Sequence, residues 1–268
     1  MRRPVAVGSL VVILVFVVAA LFAPYIAPQN PRATDFKAVL AHPSWQHLFG
    51  TDDLGRDVFS RVVWGARASM QVGFLATMLA LLIAVPVGLV AGYCRGSLDT
   101  VIARVTDVLL AFPFVILAIG LAAIFGPSLA MATIALGVAA APRMIRIVRG
   151  EALTLREADF VPAAIANGAG DVTVIFRHIL PNMANTLLVV ATVAIPRAII
   201  GEATLSFLGL GIRVPGASWG IMLHEAQPYH LQAPLLAVFP GVAIVLAALS
   251  FNLLGDGLRD VLDPRTTR

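Results

Sequence analysis

Three acids and two glycines crowd into eight residues at 50–57, the run GTDDLGRD. Carboxylates at that density could hold a hard divalent cation, which takes clustered oxygen ligands. The EF-hand pattern requires Glu six residues after its glycine, and neither Gly50 nor Gly55 is followed that way. Metal binding is therefore set aside, and Asp52, Asp53, Arg56 and Asp57 are expected to form an external turn that docks a partner. Other catalytic spacings fail in the same manner. HEAQP at His224 begins like a zinc-binding H-E-x-x-H but lacks the second His. Lys37 is the only lysine and follows Phe36, so no G-x-x-x-x-G-K-[ST] phosphate loop exists. Cys94 is the single cysteine, which excludes an intrachain disulfide and a C-x-x-C pair. His42, His47, His178, His224 and His230 show no metal spacing. Only Asp107, Arg197 and Glu202 bring charge close to the long apolar segments. They are candidates for a pathway or gate rather than for catalysis. Asp107, at a helix entrance, is expected to cap or orient that helix. Arg197 and Glu202 either meet cargo or pair and snorkel within the protein.

The elements that must position these residues are apolar. The chain is 59% hydrophobic and 13% charged, where soluble domains carry about 25% charged residues. So little polar surface cannot cover so apolar a core, and the bilayer becomes the expected solvent. A net charge of +4 over 268 residues forms no basic stripe and excludes a nucleic-acid partner. Spanning helices of about 20 residues are expected over 5–26, 68–94, 182–200 (with a continuation toward 207) and 231–255. Two more come from the charge-free run 108–142, broken by FGPS at 125–128. The first apolar run is too long for a signal-peptide core and reads as a retained span. Pro86, Pro113 and Pro196 fall inside spans, as hinges or packing irregularities.

Six spans put both termini on one side, and Arg and Lys choose it. With the N-terminus inside, Arg2, Arg3, Arg95, Arg104, Arg143, Arg146, Arg149, Arg156, Arg177, Arg259, Arg265 and Arg268 are internal. Arg32, Lys37, Arg56, Arg61, Arg67 and Arg213 are external, twelve against six with Arg197 in the membrane. Both termini are thus expected in the cytoplasm. Trp45, Trp64 and Trp219 all fall outside and read as interfacial anchors. The segment organisation is 1–27 as N-terminus and first span, 28–67 as extracytoplasmic segment, 68–255 as five-span core and 256–268 as cytoplasmic tail. The alternating run 56–67 is expected to lie along the outer membrane surface. The core contains a long cytoplasmic loop, 147–180.

That loop has internal order. Val161, Ala164, Ile165 and Gly168 stand at helical spacing and predict a short helix with one small, mildly apolar face. Asn167 and Gly168 stop it. Asp171 can cap a second helix over 172–180, which Pro181 then breaks. The elbow so formed either receives a partner or merely joins two spans; composition alone leaves both open.

The spacing Pro162-Ala163-Ala164, Gly168 and Leu180-Pro181 resembles the EAA loop of permease subunits of binding-protein-dependent ABC importers. That pattern is E-A-A, three residues, G, nine residues, then I-x-L-P; Pro162 stands for the usual Glu and His178 for the usual Ile. HLFGTDDLGRDVFSRVVWGAR (47–67), LREADFVPAA (155–164), FRHILPN (176–182), EATLSFLGLGI (202–212), SWGIML (218–223) and FNLLGDGLRDVLDPR (251–265) extend the resemblance to C-type permeases of the dipeptide/oligopeptide/nickel group. It covers nearly the whole chain.

The resemblance implies an all-α polytopic membrane protein with six transmembrane helices and the type I ABC importer permease fold. It implies residence in the bacterial cytoplasmic (inner) membrane. The chain would pair with a homologous second permease, two ABC ATPase subunits (or one fused) and an extracytoplasmic solute-binding protein. ATP and Mg would be bound by the ATPases, with no cofactor in this chain. Coupling would fall to Arg156, Glu157, Asp159, Phe160, Ala163, Ala164, Gly168 and Pro181, with Ala163, Ala164 and Gly168 as the close-approach face. Cargo would be a di- or oligopeptide, with nickel chelates, glutathione and haem as the cargoes of related systems. A secondary transporter would instead require internal repeats and midplane ionisable residues. A membrane scaffold or an intramembrane enzyme would need no coupling elbow, and the enzyme would need a constellation in the spans that is missing.

Overall fold

The computed structural model describes residues 3–262. Arg2, Arg265 and Arg268, counted above toward the inside, lie outside the described residues, as does the tail beyond 262. The described chain is helical without a named strand. Its first element is α1 (Arg3–Leu21), followed by a four-residue α2 (Ala23–Ile26). Pro24 explains the division of the run expected as one span: its ring clashes with the preceding turn and it donates no N–H.

The next helix, α3 (Val58–Cys94), has 37 residues and is about 55 Å long at 1.5 Å per residue. A bilayer core is about 30 Å thick, so α3 projects well beyond it. This overturns the surface helix expected over 56–67. The Asp57 carboxylate accepts the Ser60 N–H at 2.8 Å and starts the helix. From there it runs unbroken into the span, with Val58, Ser60, Arg61 and Val63 turned into the protein. The alternation of charge marks a buried face, not a membrane-surface one.

The apolar run 108–142 is divided twice, not once. An amphipathic α4 (Gly96–Leu110) meets α5 (Phe114–Phe125) at 90° across Pro113. Asp107 and Arg104 therefore lie within α4 rather than at the entrance of a long span, and Pro113 forms a turn instead of an intrahelical hinge. After Gly126 and Pro127, Ser128 caps α6 (Leu129–Arg156) by accepting the Met131 N–H at 3.1 Å. The polar connection that follows holds α7 (Phe160–Ala166), α8 (Asp171–Thr173), a π-helical turn over Val174–Ile179 and α9 (Leu180–Asn182). Then come α10 (Ala184–Phe207), α11 (Trp219–Ala226) and α12 (Leu235–Leu262). Five helices (α1, α3, α6, α10 and α12) are long and apolar enough to cross a membrane, and the bent α4–α5 pair makes six if counted as one span.

The frame is the α3–α6 pair. Small residues recur every fourth position along α3, at Ala76, Ala80, Ala84, Gly88 and Gly92, and all are buried. A Cβ on Gly92 would lie 2.6 Å from that of Ala152, and one on Gly88 2.7 Å from that of Val148. In lipid the hydrophobic effect does not drive helices together, so this close approach supplies van der Waals contact instead. α12 packs beside α1 and α10, while Val7, Val11 and Val15 of α1 remain exposed.

Candidate functional site

The elbow at one end of the bundle begins where α6 stops. α7 is only seven residues long, so its faces are sharply divided. Val161 is buried and Phe160 and Ala164 pack beside it against Leu89, Val148, Val174, Ile179 and Met183. Ala163, Ala166, Asn167 and Gly168 face outward, as does Ile165. The face expected from Val161, Ala164, Ile165 and Gly168 therefore splits. Ala164 packs within the chain, leaving Ala163 and Gly168 outside. One residue step is 100° of helix rotation, enough to carry Ile165 to the flank. The helix ends before Gly168, which takes φ +86, a left-handed conformation glycine adopts without Cβ strain.

Polar clamps tie the elbow to the frame. Asp171, expected as a cap, instead occupies the first position of α8 behind Gly170 and accepts a 2.7 Å hydrogen bond from the Tyr93 hydroxyl of α3. The Arg156 guanidinium lies 5.4 Å from the centre of the Tyr93 ring. Glu157 pairs with Arg95. Both partners of that pair are exposed, where an ion pair contributes little. Arg156 and Glu157 thus have partners inside the chain, while Asp159 and Pro181 are exposed. Nearby, Arg149 of α6 holds Asp99 of α4 at 2.7 Å and Arg146 holds Asp107. Sequence reasoning missed the exposed apolar side chains Val172 and Phe176, which join Ile165 on the outer surface. Their four-residue spacing in a polar loop was the available signal.

Between α3, α4, α5, α6 and α10 lies a mainly apolar cavity of about 560 Å³. It separates the three pathway candidates. Arg197 lines it, together with Arg143 of α6. Asp107 stands outside it in its pair with Arg146. Glu202 is fully buried away from it, accepting hydrogen bonds from Ser206 at 2.6 Å and Ser69 at 2.8 Å. The pairing of Arg197 with Glu202 considered above does not occur; the serines satisfy the carboxylate. Beside Ser69, Trp219 is fully buried, donating from its indole N–H to the Val62 carbonyl at 3.0 Å. It is a core residue and not an interfacial anchor.

At the opposite end, the 50–57 turn closes on the protein. Arg56 is 1% exposed; its Nε donates to Asp52 at 2.6 Å and its Nη2 lies 3.1 Å from Glu225 of α11. Arg61 of α3 is equally buried and meets the same two acids. Burial works against the Arg56 charge, but Asp52 and Glu225 outweigh it and raise its pKa above the ordinary value. Asp57 is buried under His47, 3.1 Å away. Asp52, Arg56 and Asp57, expected as external docking groups, are therefore engaged inside the chain; Asp53 alone of the four is half-exposed. Glu225 and Arg61 complete the cluster from 164 residues apart in sequence, a separation no local pattern bridges. Among the described residues no group of acids, His or Cys is placed to hold a metal.

A helical membrane protein with a central small-residue frame, an intramembrane cavity and an elbow at one end has the architecture of a transport-pathway subunit. The chain belongs to the binding-protein-dependent transport system inner membrane component family, whose model matches residues 84–268. Residues 1–43 match the N-terminal TM domain of oligopeptide transport permease C. A permease protein of Brucella suis biovar 1 is 47% identical over 264 residues, 98% of this chain and 88% of that protein. The dipeptide transport system permease protein DppC of Alkalihalophilus pseudofirmus is 44% identical, over 98% and 87%. The glutathione transport system permease protein GsiD of Escherichia coli O6:K15:H31 is 43% identical, over 98% and 88%. The inward-facing MetNI methionine ABC transporter shares the fold with a TM-score of 0.61 at 21% identity, covering 75% of this chain and 96% of that one. The chain is thus a multi-pass inner-membrane permease of the ABC importer type.

Proposed function

We propose that this permease forms half of a translocation pathway for di- or oligopeptides, completed by a homologous second permease. The names of its relatives, peptide, dipeptide and glutathione permeases, support that cargo class. Two ABC ATPase subunits, or one fused, supply ATP and Mg, since this chain has no phosphate loop. A solute-binding protein delivers cargo at the 28–67 end, where Asp35 is exposed and Asp53 half-exposed. The elbow and both termini are cytoplasmic. ATPase closure moves the elbow, the α3–α6 frame carries that motion, and the cavity alternates its access.

The observation that carries this reading is the elbow itself: exposed Ala163, Gly168, Ile165, Val172 and Phe176 on a base anchored through Val161, Val174 and Ile179. Small side chains permit close approach, and the apolar ones offer area a partner can bury. Ala163→Arg places bulk and charge on that face without the backbone strain a substitution at Gly168 would add. With the ATPase and second permease co-expressed, the variant should insert normally but fail to retain the ATPase on purification. Wild-type ATPase retention and peptide uptake would reduce the elbow to a connector.

A further inference from the structure

The cavity wall is apolar except where three polar side chains enter it: Arg143 of α6, Arg197 of α10 and Thr77 of α3. Arg143 stands 14 residues into the 28-residue α6, and Arg197 13 residues into the 24-residue α10. Both therefore stand about 20 Å along helices long and apolar enough to cross a membrane, so Arg143, counted above toward the inside, lines the cavity between the helices instead. Neither has an ion-pair partner among the described residues, whereas Arg146 and Arg149, one and two turns further along α6, are paired. Arg143 lines the same cavity as Arg197 and carries a charge of like sign. Thr77 is 4% exposed and its hydroxyl has no hydrogen-bond partner. Thr133, Thr192 and Thr204, by contrast, each donate to the carbonyl four residues back. Buried polar groups are ordinarily satisfied, and charges held within a membrane mark a pathway when nothing in the chain neutralises them.

We infer that Arg143, Arg197 and Thr77 form a carboxylate-binding station in the pathway, taking the C-terminal carboxylate of a passing peptide. Two guanidiniums and a hydroxyl supply charge-assisted hydrogen bonds to an anion. They replace the water that the carboxylate loses on entering an apolar space. The like charges of Arg143 and Arg197 repel in the empty station, and an anion seated between them offsets that repulsion. The bulk of the wall is featureless, which tolerates varied side chains. Specificity then resides in the carboxylate that every peptide with a free C-terminus carries.

This inference rests on the peptide-importer reading, and one experiment separates the two. The complete importer is reconstituted in proteoliposomes with its ATPases, second permease and solute-binding protein. Uptake is measured for one peptide as the free acid and as the C-terminal amide, each at concentrations saturating the binding protein. The quantity read is the acid-to-amide uptake ratio. Arg143→Gln with Arg197→Gln should lower that ratio about tenfold, one factor of ten being about 1.4 kcal/mol. Arg143→Lys with Arg197→Lys should restore most of it, and Thr77→Val should lower it about twofold. Substitutions that only loosen the fold depress both uptakes and leave the ratio where it was; an unchanged ratio in the Gln pair overturns the station while leaving the importer intact. A wild-type complex that imports neither peptide overturns the peptide reading and the station with it.

Discussion

Asp52, Arg56, Arg61 and Glu225 are drawn inside one end of the molecule, whereas the elbow at the other end turns Ala163, Ile165, Val172 and Phe176 outward. The charged residues, which look like a docking surface in the sequence, are the internal fastening. The small and apolar residues, which look like packing, are the surface. The difference follows from what each end must resist. The 28–57 segment has no helix of its own beyond the turn, and buried ion pairs give it a single register against α3 and α11. Such pairs tolerate no missing member, because a lone buried charge is left uncompensated. The elbow already rests on Val161, Val174, Ile179 and Met183, so its outer face is free to vary.

That contrast can be broken most directly at Glu225. Glu225→Ala leaves two guanidiniums, each 1% exposed, to share the one buried carboxylate of Asp52 and should cost about 3–5 kcal/mol. It would be read as a large fall in the thermal midpoint of the detergent-purified protein; an unshifted midpoint would mean the cluster fastens nothing. Arg61→Met combined with Glu225→Leu should recover part of that loss, and a double-mutant cycle measures how much. Next in size is the frame both ends share. Gly92→Leu drives side-chain atoms into Ala152 and the Arg149 carbonyl. The expected loss is about 1–3 kcal/mol, and a wild-type melting curve would show that the helices part without penalty.

Smaller still is the clamp between α3 and the elbow. Tyr93→Phe removes the donor to Asp171 and should cost about 1 kcal/mol. Hydrogen exchange should quicken over 171–176 while 50–61 stays protected. Equal acceleration at both ends would show that they unfold as one unit and erase the distinction. The least stability change is expected from Ala163→Arg, within about 0.5 kcal/mol, even though it should abolish ATPase retention. A strongly destabilised Ala163→Arg protein would place that residue in the packing instead of on the partner face.

Several features were legible because they depend on neighbours in sequence. Apolar length marked the membrane helices, since each must satisfy its own backbone in lipid. Asn167 and Gly168 marked the end of α7 through local backbone preference. The motif spacings at 162–181 pointed to the permease family before any contact was known. What the chain order could not convey were distances across the bundle. Nothing local joins Arg61 to Glu225, Ser69 to Glu202 or Tyr93 to Asp171, and only folding determines that Arg143 and Arg197 line one cavity while Glu202 is sealed away from it. Pattern reports which residues an isolated helix can bury. Whether a charge faces lipid, cargo or a partner is set by the other helices around it, because burial is a property of the assembled packing and not of the strand of sequence that carries the charge.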